Sequence, residues 1–111
     1  MCGIAGFVHN QRLIDPHLVR TLSESLQRRG PDDYGFAGFA EAPLRSVLTK
    51  DARDLTHCYG AFVQRRLSIV DLSERGWQPM RCQDLTITYN GEIYNYVELR
   101  DELKALGETF Q

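Results

Sequence analysis

Leu18, Leu22 and Leu26 recur every four residues, with Val19 beside them, and that spacing predicts a helix with one buried face. Asp15 stands as its N-cap and Pro16 at its first helical position, where the missing N–H costs nothing. Arg28 and Arg29 fall in the predicted last turn, where cations complement the helix dipole. Gly30 follows as the predicted C′ residue, and Pro31 prevents continuation. A helix of this kind must bury its apolar stripe against another layer. The neighbouring runs supply one. Ile4–Val8 reads as a strand apolar on both faces, hence a central one. Tyr34–Phe39 alternates aromatic and small residues, and Gly60–Val63 continues as a strand through Arg66–Val70. Leu85–Tyr89 is rich in β-branched residues. Asn95 with Glu98 three residues later opens a second helix, carried by Leu99, Leu103 and Leu106 and ended by Gly107. Residues 40–59 carry scattered apolar positions among charges and read as a long connection with one short hairpin or helical turn. Strands interleaved with two amphipathic helices make a layered α/β protein.

The 111 residues suffice for one core, and 42% hydrophobic with 25% charged residues is globular composition. A formal net charge of −2 gives no electrostatic reason to expect nucleic acid or an anionic membrane as partner. No apolar run has membrane-span length and no signal sequence opens the chain, so the expected compartment is the cytoplasm. Three cysteines, Cys2, Cys58 and Cys82, lack metal-ligand spacing and are too few for a disulfide framework. No metal site is expected.

Cys2 is the chemically loaded position. If Met1 is removed, Cys2 carries a thiol and a free α-amine on one carbon, a nucleophile and a base in one residue. Read alone, it is equally a small apolar residue starting an edge strand. Asn90-Gly91 reads either as a type I′ hairpin turn or as an oxyanion hole, built from the Asn90 amide and the Gly91 N–H. Arg66 is either a solvated strand residue or a fork for a carboxylate. Glu92 is a surface charge or an acceptor for a substrate ammonium or amide. Asp32 and Asp71 suit turn capping better than catalysis, and His9, His17 and His57 have no suggestive partners.

Five motifs in one order then carry a resemblance. They are Met1-Cys2-Gly3-Ile4-Ala5-Gly6, Arg29-Gly30-Pro31-Asp32, Arg66-Leu67-Ser68-Ile69-Val70-Asp71, Gln78-Pro79-Met80 and Asn90-Gly91-Glu92-Ile93-Tyr94-Asn95. Together they resemble the glutaminase domain of glutamine-hydrolysing asparagine synthetases, a class II (N-terminal-nucleophile) amidotransferase. The resemblance implies an α+β fold, the four-layer α-β-β-α sandwich of N-terminal-nucleophile hydrolases, of which residues 1–111 would be the N-terminal portion. Residues 40–59 would be an insertion. It implies Cys2 as nucleophile, Asn90 and Gly91 as oxyanion hole, and Arg66, Leu67, Ser68, Ile69 and Val70 as the lining of the glutamine pocket. Arg66 would hold the α-carboxylate, and Glu92 would contact glutamine.

The resemblance also implies hydrolysis of glutamine to glutamate and ammonia for ATP-dependent amidation of aspartate, with no cofactor in the glutaminase part. ATP and Mg would belong to a C-terminal synthetase domain, and the full-length enzyme would be a homodimer. Arg28 departs from the histidine frequent before the Arg-Gly-Pro-Asp motif. The family's Ser-Asp motif, whose Asp holds the glutamine ammonium, would lie beyond Gln111. The alternatives are an inactive piece that only binds a partner, or an amidotransferase with a non-aspartate acceptor.

Overall fold

The computed structural model describes residues 1–41, 44–69 and 73–110. The strands are β1 (Gly3–Val8), β2 (Asp33–Glu41), β3 (Leu44–Thr49), β4 (Gly60–Arg66), β5 (Met80–Cys82) and β6 (Leu85–Ile87). The helices are α1 (Pro16–Ser25) and α2 (Tyr96–Ala105). Two short 3₁₀ turns, Ala52–Leu55 and Glu74–Gly76, complete the described elements.

β1 to β4 form one antiparallel sheet in the order β1-β4-β2-β3, and β5 pairs with β6 in a second. The fold class is therefore α+β with antiparallel sheets. Asp15 caps α1 as expected, its carboxylate accepting from the His17 N–H at 2.8 Å. Val19 and Ser23 turn from α1 into the sheet and are buried. Along β4 the period of two sends Ala61, Val63 and Arg65 toward α1 and Phe62, Gln64 and Arg66 to the opposite face. The core lies on the α1 side, where Val19, Phe36, Ala61 and Val63 meet Ala52, Leu55 and Cys58 from the connection after β3. The stretch 40–59, which reads as a long connection, holds both a hairpin strand, β3, and a 3₁₀ turn, and its Leu55 is fully buried.

The second sheet is tied to the opposite face by polar contacts. Thr86 Oγ1 donates to Ser46 Oγ at 2.8 Å, Arg81 Nη1 to the Ser46 carbonyl at 2.8 Å, and Thr88 to the Gln64 side chain. Among the described residues no helix is long and apolar enough to cross a membrane.

Four local expectations are corrected. β1 is an edge strand, not a central one, and Ile4 and Val8 are exposed. Apolar residues on both faces of a strand report what packs above and below it, not how many strands flank it. α1 ends at Ser25, and tighter turns carry the chain through Arg29. Gly30 does not take a left-handed conformation; the only glycine with positive φ among the described residues is Gly107, at 97°. The Asn95 side chain makes no capping bond, and α2 buries none of its residues.

Candidate functional site

The register Gly3↔Arg65 places Cys2, one residue before β1, opposite Arg66. Both then belong to the face turned away from α1, where the second sheet and the segment after β6 also lie. The Leu67 N–H, just past the end of β4, donates to Cys2 Sγ at 3.4 Å, and the Leu67 carbonyl lies 3.8 Å from the same sulfur. From 88 positions along the chain, Asn90 Nδ2 donates to the Cys2 carbonyl at 3.1 Å. Cys2, Leu67 and Asn90 are thus brought together. A side-chain amide nitrogen carries two hydrogens, so Asn90 holds Cys2 with one and keeps a second donor beside the thiol-bearing residue.

Asn90-Gly91 is not a type I′ hairpin turn. Neither residue has positive φ, and the next element is α2. Gly91 packs under the Tyr89 ring, whose hydroxyl would sit 2.6 Å from any added Cβ.

The remaining expected residues divide. Arg66 Nη1 donates to the Ser73 carbonyl at 3.0 Å, and its guanidinium packs on Gly76, where a Cβ would come within 2.2 Å. The Ser68 N–H donates to Asp32 Oδ2 at 2.7 Å. Ile69 is exposed, and Glu92 is exposed with no hydrogen bond or ion pair among the described residues. Val70 and Asp71 lie outside the described residues.

Residues that the sequence reading assigned to a helix end and a turn cap also touch this cluster. Arg29 Nε donates to the Cys2 carbonyl at 3.4 Å. Asp32 accepts from the Ser68 N–H through its carboxylate and donates its own N–H to the Arg66 carbonyl at 3.0 Å. It thereby clamps the stretch that carries the Leu67 N–H. Gly30 fits beneath that stretch only without a side chain, since a Cβ would lie 2.3 Å from the Arg65 carbonyl carbon and 2.6 Å from the Arg66 nitrogen. The signal was the compact Arg-Gly-Pro-Asp run itself. It is more specific than a helix stop requires.

A cleft of about 340 Å³ lined by Met1, Arg28, Arg29, Pro31 and Leu67 adjoins this cluster. A larger cavity, about 610 Å³, lies on the α1 side and includes none of these groups. Of the two, only the smaller adjoins Cys2, and the candidate site is taken there. Of the other thiols, Cys58 is buried and burial raises its pKa, while Cys82 is exposed. Among the described residues no group of three or more His, Cys, Asp or Glu is arranged to hold a metal.

The family profile of the glutamine amidotransferase domain matches residues 1–111. The chain belongs to that family. This amidotransferase domain is 36% identical over 116 residues to asparagine synthetase [glutamine-hydrolyzing] 1 of Bacillus subtilis, covering 99% of this chain and 15% of that protein. It is 36% identical over 118 residues to the probable asparagine synthetase [glutamine-hydrolyzing] of Dictyostelium discoideum, covering all of this chain and 17% of the relative. It is also 33% identical over 121 residues to glutamine–fructose-6-phosphate aminotransferase [isomerizing] of Rhizobium meliloti, with 20% of that protein covered. The domain thus spans between 15% and 20% of the length of these curated relatives. No solved structure matches it at a significant level.

Proposed function

We propose that this domain hydrolyses glutamine to glutamate and ammonia with Cys2 as the nucleophile, as the glutaminase part of an asparagine-synthetase-like enzyme. The observation that carries the reading is the convergence of the Leu67 N–H on the Cys2 sulfur and of Asn90 on the Cys2 carbonyl. In the structure Met1 precedes Cys2, so the Cys2 nitrogen is an amide. Removing Met1 turns it into an amine that takes the thiol proton.

The thiolate attacks the side-chain amide carbon of glutamine, and the C=O π pair moves onto oxygen. The second N–H of Asn90, with the Gly91 N–H, meets that oxyanion. Collapse expels the amide nitrogen, which takes the proton from the Cys2 ammonium and leaves as ammonia. Water then adds to the thioester, again through the amine, and returns glutamate and the thiol. Leu67 N–H offers a partner to the charged sulfur in both halves. Arg66 supplies the fork for the α-carboxylate.

In this reading the ammonia amidates aspartate, ATP and Mg serve a synthetase part outside these residues, and the two sheets with α1 belong to an α-β-β-α sandwich. The test is intact-mass analysis with 6-diazo-5-oxo-norleucine, a glutamine analogue that alkylates nucleophilic thiols. A single adduct mapped to Cys2 in Met1-free protein, absent in Cys2→Ala, is the expected result. Labelling of Cys82 alone, or an adduct that survives Cys2→Ala, overturns the assignment.

A further inference from the structure

Consecutive residues of a strand point to opposite faces, so the pair Arg65-Arg66 serves two sides of the sheet. Arg66 faces the Cys2 side; Arg65 faces the cavity of about 610 Å³ between α1, β2, β4 and the turn after β3. Arg65 is held there. Its Nε donates to the Ser23 carbonyl at 3.1 Å and to Ser23 Oγ at 2.9 Å, and its guanidinium carbon sits 4.8 Å from the Tyr34 ring centre. Neither Nη of Arg65 donates to any described residue, so the two-donor edge of the fork remains available.

The other charges lining the cavity partly cancel. Lys50 Nζ pairs with Asp33 at 2.6 Å, and Arg53 pairs with Asp51 at 2.6 Å. What remains is Arg20 and Arg65 against the single carboxylate of Glu24. A chain of net charge −2 thus carries one concave surface with a cationic surplus and a preorganised guanidinium.

We propose that this cavity is a second ligand site, which takes a small molecule bearing a phosphate group. Two guanidinium groups balance the −1.5 to −2 charge of a phosphate monoester at neutral pH, and the open edge of Arg65 presents two parallel N–H groups to two oxygens. The volume leaves room for an organic body beside Tyr34. Glu24 opposes the anion, and its carboxylate sets the affinity low. The site stands whether or not Cys2 is the nucleophile, since it lies on the other face of the sheet.

The test is a titration of the ¹⁵N-labelled chain with inorganic phosphate and, separately, with glycerol 3-phosphate, at ionic strength fixed with chloride. Saturable shifts are expected at the amides of Ser23, Tyr34 and Ala52, with Leu67 and Asn90 unmoved. Arg65→Gln should weaken binding by roughly tenfold or more. Arg20→Gln, at an exposed position that leaves the fold intact, should weaken it as well, and Glu24→Gln should tighten it. Preference for glycerol 3-phosphate identifies a phosphorylated metabolite as the ligand, and equal binding identifies phosphate itself; either supports the site. Shifts that do not saturate, that centre on Leu67 and Asn90, or that persist unchanged in Arg20→Gln overturn it.

Discussion

In the proposed mechanism Asn90 and Arg66 serve the same substrate at different stages, and they should fail differently when removed. An oxyanion donor acts only as charge develops, so Asn90→Ala should lower kcat on the order of 10²–10³-fold with KM little changed. In the same proposal Arg66 grips a carboxylate whose charge is constant through the reaction, so Arg66→Ala should raise KM and spare kcat. Steady-state kinetics with glutamine would separate the two. Asp32 holds the Ser68 N–H and the Arg66 carbonyl on either side of Leu67. Asp32→Ala should therefore slow inhibitor labelling of Cys2, while Asp32→Asn, which keeps an acceptor for Ser68, should restore much of the rate. If both variants label at the native rate, the clamp has no part in positioning Leu67. Cys2 and Asn90 were singled out in the sequence because each joins a reactive group to a family-like motif. Arg29 and Asp32 lie in such a motif too, but were given no part in the site, because a cation after a helix and an acid after a proline each have a sufficient local explanation.

At the scale of elements, the period of Leu18, Leu22 and Leu26 announced a buried face of α1, and α1 does bury one, but through Val19 and Ser23; Leu18 is exposed and Leu22 and Leu26 are only half-buried. The same period in α2 announced an apolar stripe, yet Leu99, Leu103 and Leu106 remain at least 39% exposed. Periodicity states that a face is apolar, not what covers it. Gly30 shows a related limit, for its use is a backbone approach to β4 made across thirty-five positions and invisible to local rules. Gly30→Ala drives a Cβ against backbone atoms that cannot rotate away. It should destabilise the fold by about 1–3 kcal/mol in urea unfolding, in the range of other overpacked sites. Leu55, fully buried from a segment that reads as a mere connection, should cost about 2–5 kcal/mol as Leu55→Ala. A cost below about 1 kcal/mol there would mean the segment is not part of the core.

Across the whole molecule, the strand order β1-β4-β2-β3 brings the two ends of the candidate site together: Cys2 leads into β1 and Leu67 follows the exit of β4. Propensity and alternation identified most of these strands, but order is set by which distant pairs close, and no local pattern encodes that. The exit of β2 from the Arg-Gly-Pro-Asp run is held by charge. Asp33 is partly buried, which would raise its pKa. The Lys50 ammonium at 2.6 Å and the Tyr34 N–H outweigh this, and its pKa falls below the usual 3.8. Asp51 is held at about 2, chiefly by the Arg53 side chain and then by the Arg53 N–H. A carboxylate whose pKa is depressed on folding adds stability that is complete above its unfolded value and is lost as pH falls through its folded one. Stability should accordingly be level from neutral pH down to about pH 4 and decline below it toward about pH 2. Lys50→Met removes the strongest of the groups that lower the Asp33 pKa, so it should flatten part of that decline and leave stability near pH 2 almost unchanged. Urea unfolding at several pH values measures both curves. Parallel curves for Lys50→Met and the native chain would show that the Asp33 pair contributes nothing to acid sensitivity.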